Sequence, residues 1–321
     1  MKGTVFTTPL TLRTAGKYCA LLAAMVMLNF ALPMREPLSS ALLYAALACG
    51  FDPLLAAASH LLASISALSW MAMLSALLQA VLLSGGFWLF KRLKRKITWE
   101  KYVLLVLAQL PFAFLFPHAG YALPLSPAWQ KALLSLLTAA LALLFEGGLD
   151  ALMTRAFRCR LTAAQLLEVS LLWLFWGAGM CSALGEPVFY AVSLTALLLA
   201  VQLLKNAAAV PLSVVLSLPL CLAHADLLPM ATFSACACVA LLLTPYGRIA
   251  SALSLLLCFP AAMALEGLYA ESTARIVFTL AACLVAVILT IALPEKLYRR
   301  AKRTLLFYRE RTLPRIAINR S

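Results

Sequence analysis

The amino-acid sequence predicts an all-α fold, a polytopic bundle of about 10–12 transmembrane helices, and three observations support this prediction. Apolar residues make up 64% of the 321 residues and charged residues only 12%, whereas soluble domains average about 45–50% and about 25%. Apolar runs that approach the roughly 20 residues of a spanning helix recur along the chain. Basic residues gather in clusters between these runs. Too few polar side chains remain to cover a water-facing surface, which excludes a soluble enzyme, a disordered chain and a free nucleic-acid binder.

The charge is strongly basic, with 26 Lys and Arg against 12 Asp and Glu and a formal net charge of +14. Most of the basic residues lie in four clusters, one around Lys17 and three within 91–101, 155–160 and 296–320. Clusters that flank apolar runs follow the positive-inside rule and favour the anionic cytoplasmic leaflet. The sequence therefore predicts a multi-pass protein of the cell membrane with both termini in the cytoplasm. Its predicted partners are bilayer lipids, including anionic lipids of the inner leaflet, and not nucleic acid.

Three regions follow from this pattern. Residues 1–16 are predicted to be a cytoplasmic N-terminal tail and 17–293 a polytopic membrane domain. Residues 294–321 are predicted to be a basic amphipathic juxtamembrane segment or the start of a linker. The basic residues before the first apolar run resemble a signal peptide, but many further apolar runs follow. The first run is therefore interpreted as a transmembrane helix that is retained.

Twelve apolar segments are separated by short polar or proline-containing breaks. Asp52-Pro53 predicts a helix start, because Asp is a favoured N-cap and Pro a favoured first helical residue. The stretch 54–90 is too long for one helix and is divided near Ser69, and the prolines at 211 and 219 predict a kinked or broken span. The other segments are Tyr18–Leu32, Leu38–Phe51, Tyr102–Phe116, Ala132–Leu152, Leu166–Leu184, Val188–Leu204, Ala207–Ala223, Met230–Leu243, Ile249–Leu265 and Ile276–Leu293. This arrangement gives twelve crossings, or ten if one pair of short segments is re-entrant.

Glu146 and Asp150 are weak candidates for an intramembrane site. They are four residues apart, so they share one helix face near the inner end of their span. Ionisable residues within a span point to function by default, and this pair would suit a cation or a proton. The alternative is an electrostatic tie to Arg155 or Lys205 at the membrane interface. Glu168 allows the same two interpretations, with Arg160 as its basic partner.

The remaining polar residues of the apolar segments predict packing between helices. The glutamines are expected to hydrogen-bond across helix pairs, as amides do inside membranes. They are Gln79, Gln109 and Gln202. His60 lies in an Ala-rich segment, where a lone histidine usually packs or hydrogen-bonds.

No metal, cofactor or catalytic residue is predicted. His60, His118 and His224 share no spacing that would hold a metal ion. Cys236 and Cys238 lie about 200° apart on a helix, at roughly 100° per residue, so the two thiols cannot share a ligand. The Gly-Gly pairs lack the Lys and Ser or Thr of a phosphate-binding loop.

The segment after the last apolar run is basic and amphipathic. Its apolar residues recur at helical spacing, and its basic residues dominate the other faces. The basic residues predicted to face lipid are Lys296, Arg299, Arg300, Lys302 and Arg303. One interpretation is a helix on the inner leaflet, held by apolar burial and anionic lipid. The other is a stalk that leads into a cytosolic domain.

Three stretches near the C-terminus resemble the N-terminal membrane domain of the stage II sporulation protein E family. Thr273–Arg300 resembles the last span of that domain and its exit, and Tyr246–Ala252 resembles a turn and helix start near its end. Phe307–Arg320 is similar to the linker that follows in clostridial members. The general layout of the whole chain is similar, and the last quarter carries the specific matches.

The resemblance implies about ten spans, a cytosolic regulatory linker and a metal-dependent serine phosphatase domain of the PPM type. That phosphatase acts on an anti-anti-sigma factor and releases the forespore sigma factor, and the family associates with the division machinery at the polar septum. This chain lacks the phosphatase domain and most of the linker, so no metal-binding Asp of that domain can be placed in it. The resemblance therefore implies the anchor part, as a truncated or separately encoded chain.

Two main functions remain open from the sequence. The first is a non-catalytic membrane anchor and localisation module, possible partners being the division machinery and a second copy of the chain. The second is a small-solute transporter or channel subunit, which would use the proline-containing span and the Glu146/Asp150 pair. A membrane-embedded subunit of a larger complex is a third, weaker hypothesis.

Overall fold

The fold is helical throughout the part of the chain that the structure, a computed structural model, describes: residues 12–31, 35–68, 70–93, 100–115, 128–154, 162–205, 208–224, 226–265, 273–295 and 298. These residues form twelve α-helices and two short 3₁₀ turns and contain no β-strand. The helices are α1 (Leu12–Asn29), α2 (Arg35–Ala48), α3 (Pro53–Ser64), α4 (Trp70–Arg92), α5 (Glu100–Leu115), α6 (Ala128–Thr154), α7 (Ala163–Leu184), α8 (Glu186–Leu204), α9 (Ala209–His224), α10 (Leu228–Leu242), α11 (Arg248–Leu265) and α12 (Thr273–Ala292). The predicted all-α class is confirmed, and each predicted segment corresponds to one helix.

Four of the described helical segments are long and apolar enough to cross a membrane. They are Ala72–Arg92, Ser135–Met153, Ala163–Leu184 and Glu186–Leu204. The apolar segments of the other described helices have 10–17 residues, and α3 has only 12 residues. At 1.5 Å per residue, α3 is about 18 Å long, against a hydrocarbon core of about 30 Å.

Helix α2 is enclosed by protein on every side. Each residue from Leu38 to Leu47 is buried, including Tyr44 at the centre of the cluster that α1–α6 form around it. A helix that is apolar all round is buried in this way. Its length of 14 residues gives about 21 Å. Helices of this size are core or re-entrant elements more often than spans.

The predicted helix start at Asp52-Pro53 is confirmed. The Asp52 carboxylate accepts hydrogen bonds from the backbone N–H groups of Leu54 at 3.0 Å and Leu55 at 3.3 Å. Pro53 occupies the first helical position, where its missing N–H costs nothing. The Asp52 N–H donates to the Tyr18 hydroxyl at 2.9 Å, which ties this turn to α1.

The predicted division of the stretch 54–90 is also confirmed, although Ser69 itself lies outside the described residues. Helix α3 ends at Ser64, a 3₁₀ turn follows over Ile65–Ala67, and Leu68 has a φ of 51°. The left-handed region is costly for a leucine, so it marks a sharp change of chain direction. The Asn29 amide donates to the Ala63 carbonyl at 2.8 Å and so satisfies one of the carbonyls at the end of α3.

Helix α9 passes through both of its prolines. Pro219 lies inside the helix, and the helix is continuous from Ala209 to His224. Pro211 lies in its first turn, where proline is tolerated. Of the two predicted alternatives for this span, the break is therefore wrong.

The chain divides into two compact units. Unit 1 comprises Met1–Asp150 and Leu167–Ala183, and unit 2 comprises Ala151–Leu166 and Leu184–Ser321. In unit 1, Lys101 at the start of α5 meets Glu146 late in α6, and Gln109 further along α5 meets Ser135 earlier in α6. Helices α5 and α6 are therefore antiparallel.

In unit 2, two contacts likewise give the relative direction of a pair of helices. Arg248 at the start of α11 donates to the carbonyl of Thr290 near the end of α12. The Cys283 thiol, earlier in α12, approaches the carbonyl of Leu255 at 3.7 Å. Helices α11 and α12 are therefore antiparallel, as expected for neighbours joined by a short connection.

Candidate functional site

The Glu146 carboxylate forms an ion pair with Lys101. Their N···O distance is 2.6 Å, and the side chains are 19% and 23% exposed for lysine and glutamate. The sequence offered Arg155 or Lys205 as the basic partner. Arg155 lies outside the described residues, and the observed partner comes from α5 instead. The signal that sequence reasoning missed was topological: antiparallel pairing of α5 and α6 places the first turn of one beside the last turns of the other.

Asp150 lies one turn beyond Glu146 on the same face of α6, as predicted. Both carboxylates are within electrostatic range of the Cys49 thiol at the end of α2. That thiol approaches the Glu146 carbonyl at 3.6 Å. The Tyr44 hydroxyl, earlier on α2, also lies beside Glu146 but forms no hydrogen bond of normal geometry. The carboxylate pair therefore lies near the last turn of α2 and the first turn of α5.

Glycines bring α6 and α7 close together beside this pair. A Cβ on Gly147 would collide with the carboxylate of Glu168, and one on Gly148 would lie 3.0 Å from the Glu168 carbonyl oxygen. Small residues at such contacts let helix backbones approach closely. Glu168 therefore packs over α6, and the basic residue expected beside it, Arg160, lies outside the described residues.

The chemistry of this cluster is limited by its ion pair. Lys101 neutralises Glu146, so the pair offers less net charge to a cation than two free carboxylates would. No group of three or more His, Cys, Asp or Glu side chains among the described residues is placed to hold a metal ion. The arrangement favours the electrostatic tie that the sequence offered as an alternative to a cation or proton site.

A neutral polar cluster lies deeper in unit 1. The Gln79 amide of α4 donates to the Gln109 amide oxygen of α5 at 3.4 Å, and Gln109 donates to the Ser40 hydroxyl of α2 at 2.8 Å. The Ser135 hydroxyl of α6 donates to the Gln109 carbonyl at 3.5 Å. These side chains are all buried. The predicted role of the two glutamines in bonding between helices is confirmed.

His60 of α3 borders this cluster. It is 1% exposed and lies within interaction range of Gln79, yet neither ring nitrogen makes a hydrogen bond of normal geometry. The side chains of His118 and His224 lie outside the described residues. The structure therefore places one of the three histidines inside a bundle, with both of its polar atoms unbonded.

The third predicted glutamine forms part of a contact at one end of unit 2. The Gln202 amide at the end of α8 donates to the Arg248 carbonyl at 3.4 Å. The Tyr298 hydroxyl, beyond the end of α12, donates to the Gln202 carbonyl at 2.7 Å. The Arg248 guanidinium lies 5.5 Å from the centre of the Tyr298 ring, a cation–π distance. Three elements of unit 2 therefore meet at Tyr298.

The five basic residues predicted to face lipid lie outside the described residues, so this prediction stays untested. Tyr298 is the described residue within their segment, and its N–H donates to the Pro294 carbonyl at 3.2 Å. This bond has the spacing of an α-helical turn. In the same unit, Cys236 is buried and Cys238 exposed, which agrees with the prediction that their thiols point in different directions.

Comparison with known proteins gives no match. No protein-family model, no curated protein and no solved structure is similar to this chain. The resemblance of the C-terminal stretches to the sporulation family therefore stays a hypothesis.

Proposed function

We propose that this chain is a non-catalytic, multi-pass module of the cell membrane that anchors and positions the polypeptide leaving its last helix. The observation that carries the proposal is the contact of Tyr298 with Gln202 and Arg248. An anchor needs a fixed exit point, and this contact holds the chain after α12 against the ends of α8 and α11.

The surface chemistry of the helices supports a membrane location. Large apolar side chains project from the described helices into the surroundings, among them Leu257 of α11 at 80% and Phe278 of α12 at 62% exposure. In water such surface would favour aggregation, whereas lipid accepts it. Because α2 and α3 are short and α2 is buried from Leu38 to Leu47, we favour ten crossings with these two helices as an inserted pair.

The orientation follows from the basic helix ends. Lys91 and Arg92 end α4, Lys205 follows α8, and Arg248 begins α11. With an even number of crossings, all of these ends lie on one side, which the positive-inside rule assigns to the cytoplasm. Both termini are then cytoplasmic. Reporter fusions after Ser321 and near Pro124 are expected to give opposite readouts, and an external Ser321 would overturn the orientation.

The sporulation resemblance makes the proposal more specific. If it holds, the module carries a phosphatase-type polypeptide to the polar septum. A fluorescent protein fused after Ser321 of the full chain is then expected to gather at the septum of a sporulating cell. An even distribution around the membrane rejects the septal role, but leaves a general anchor in place.

A small-solute transporter or channel is the second candidate. The buried polar cluster of Gln79, Gln109 and Ser40 favours it, because polar side chains inside a membrane bundle often line a pathway. The full chain in proteoliposomes tests this candidate. Specific flux of a labelled solute that falls on changing Glu146→Gln or Asp150→Asn would replace the anchor with a transporter.

A further inference from the structure

The starting observation is a polar group that the protein leaves unbonded. Both nitrogens of the His60 ring are buried and without a hydrogen bond of normal geometry, and Gln79 is within interaction range. A buried polar atom without a partner loses the hydrogen bonds that water supplied to it in the unfolded chain. Native proteins rarely leave two such atoms on one side chain, so an unbonded pair calls for an occupant.

The surroundings of His60 define what that occupant can be. The polar side chains linked to Gln79 are the amide of Gln109 and the hydroxyl of Ser40. Each of them is neutral, and each can both donate and accept. A neutral imidazole likewise offers one donor and one acceptor nitrogen. The cluster therefore presents hydrogen-bonding groups of both kinds and no formal charge.

Among the described residues, Lys101 is a charged group on an element of this cluster, α5, and it lies at a distance from the cluster. Lys101 precedes Gln109 by eight residues on α5, which is about 12 Å along a helix. Its charge is compensated by Glu146. Among the described residues, an ion would thus find neither an opposite charge at His60 nor a set of metal ligands.

The cluster also lies at the right depth for a binding site. Gln79 is nine residues from the start of α4 and thirteen from its end, so it occupies the middle third of a helix long enough to cross a membrane. Bulk water does not reach this depth in lipid, so it does not compete for the hydrogen bonds of a molecule enclosed there.

We propose that His60, with Gln79, Gln109 and Ser40, forms a binding site for a small uncharged hydrogen-bonding ligand. Water is the simplest member of this class, and small amides or polyols are the others. The ligand bonds the two ring nitrogens of His60, beside the amides and the hydroxyl. This site goes beyond the anchoring role and does not depend on it, since a bound ligand inside unit 1 requires no exit contact at Tyr298.

Solid-state NMR on the full chain in lipid bilayers tests the proposal. The chain has only three histidines, so ¹⁵N-histidine labelling gives a simple spectrum, and His60→Gln assigns the His60 signals by their loss. We expect hydrogen-bonded ring nitrogens that receive magnetisation from bound water. Adding ¹³C-urea or ¹³C-glycerol distinguishes bound water from a bound organic solute. If magnetisation transfer from water is lost and new ¹³C–¹⁵N contacts appear, the ligand is organic. If the transfer is unchanged, the ligand is water.

Two variants make the test specific to this cluster. Ser40→Ala removes one hydroxyl with little change in volume, and is expected to slow magnetisation transfer to His60 severalfold. Ser217→Ala removes a buried hydroxyl in unit 2, and is expected to leave the transfer unchanged. His60 nitrogens that receive magnetisation from neither water nor solute overturn the proposal. A direct bond between His60 and Gln79 that excludes both probes overturns it as well.

Discussion

The described parts of the two units bury different numbers of amide side chains that bond across helices. In unit 1, Asn29, Gln79 and Gln109 form such bonds, and in unit 2 Gln202 forms one. The hydroxyl groups of both units, such as Ser75 and Ser217, mostly bond the backbone of their own helix. A hydroxyl that bonds its own helix needs no neighbour, whereas a buried amide does.

The glycines of the described residues also differ between the units. In unit 1, several helical glycines lie where another helix would collide with a Cβ, as Gly179 does against the Met27 carbonyl and Gly86 against the Leu104 side chain. In unit 2, Gly185 and Gly247 lie between helices and have φ values of 90° and 108°, which L-residues rarely adopt, and Gly50 of unit 1 has a φ of 85°. Among the described residues, close helix contacts at glycine are therefore a feature of unit 1, whereas both units use glycine in turns.

The largest effect is expected from Gly179→Ala. Its methyl group would meet the backbone of α1, which cannot rotate away, so the helices must separate at a cost of about 3 kcal/mol. Gly85→Ala is the matched control, because a Cβ there meets nothing within 4 Å. SDS titration of the full chain measures the free energy of unfolding of both variants. Equal stability of the two variants would contradict the close contact.

A smaller effect is expected from the Lys101–Glu146 pair. Lys101→Met leaves a partly buried carboxylate unpaired near Asp150, and we expect a loss of about 1–3 kcal/mol, between the values for exposed and buried pairs. The double variant Lys101→Met with Glu146→Gln removes both charges and is expected to recover most of that loss. Strictly additive losses in the double-mutant cycle would show that the two groups do not interact.

The contrast between amides and hydroxyls is tested by one variant in each unit. Gln109→Leu leaves Gln79 and Ser40 with one partner fewer each, and we expect a loss of about 1–2 kcal/mol. Ser217→Ala removes a bond within its own helix and is expected to change stability by less than about 0.5 kcal/mol. A larger loss for Ser217→Ala than for Gln109→Leu would reverse the comparison.

The smallest effect is expected at the exit contact. Tyr298→Phe removes the bond to Gln202 but keeps the ring beside Arg248, whereas Tyr298→Ala removes both. We expect the contact to lose about 0.5 kcal/mol of its free energy in Tyr298→Phe and about 1 kcal/mol in Tyr298→Ala. Each loss is measured as faster hydrogen exchange at the N–H of residue 298. If hydrogen exchange at residue 298 is equally fast in Tyr298→Ala and in the original chain, the contact with Gln202 and Arg248 does not hold this segment.

The exit contact is also expected to depend on pH. Burial raises the pKa of Tyr298 and the nearby Arg248 lowers it, with a net rise above the ordinary value of about 10. The folded state holds the phenolic proton more tightly than the unfolded chain does. The contribution of this contact to the stability of the folded state is therefore fully present below pH about 10. It is lost as the pH rises through the raised pKa. Tyr298→Phe should remove this loss.

The sequence by itself determined the helical class, the positions of all twelve helices and the cap at Asp52. These features depend on neighbours along the chain: apolar runs, Asp-Pro and Gly-Glu-Pro dictate local conformation whatever packs against them. The glutamines were also predictable as bonding groups, because a buried amide must find a partner. Their partners were not predictable, since no local rule says which helix lies beside another.

The tertiary structure alone decided the pairing of Lys101 with Glu146, the burial of α2 and the position of His60. Each depends on residues far apart in the chain, such as the 45 positions between Lys101 and Glu146. Sequence reasoning offered Arg155 or Lys205 as partners for Glu146, because it could assign basic residues to a membrane interface but could not say which helices are neighbours. Antiparallel packing decides this, and so brings the start of α5 to the end of α6.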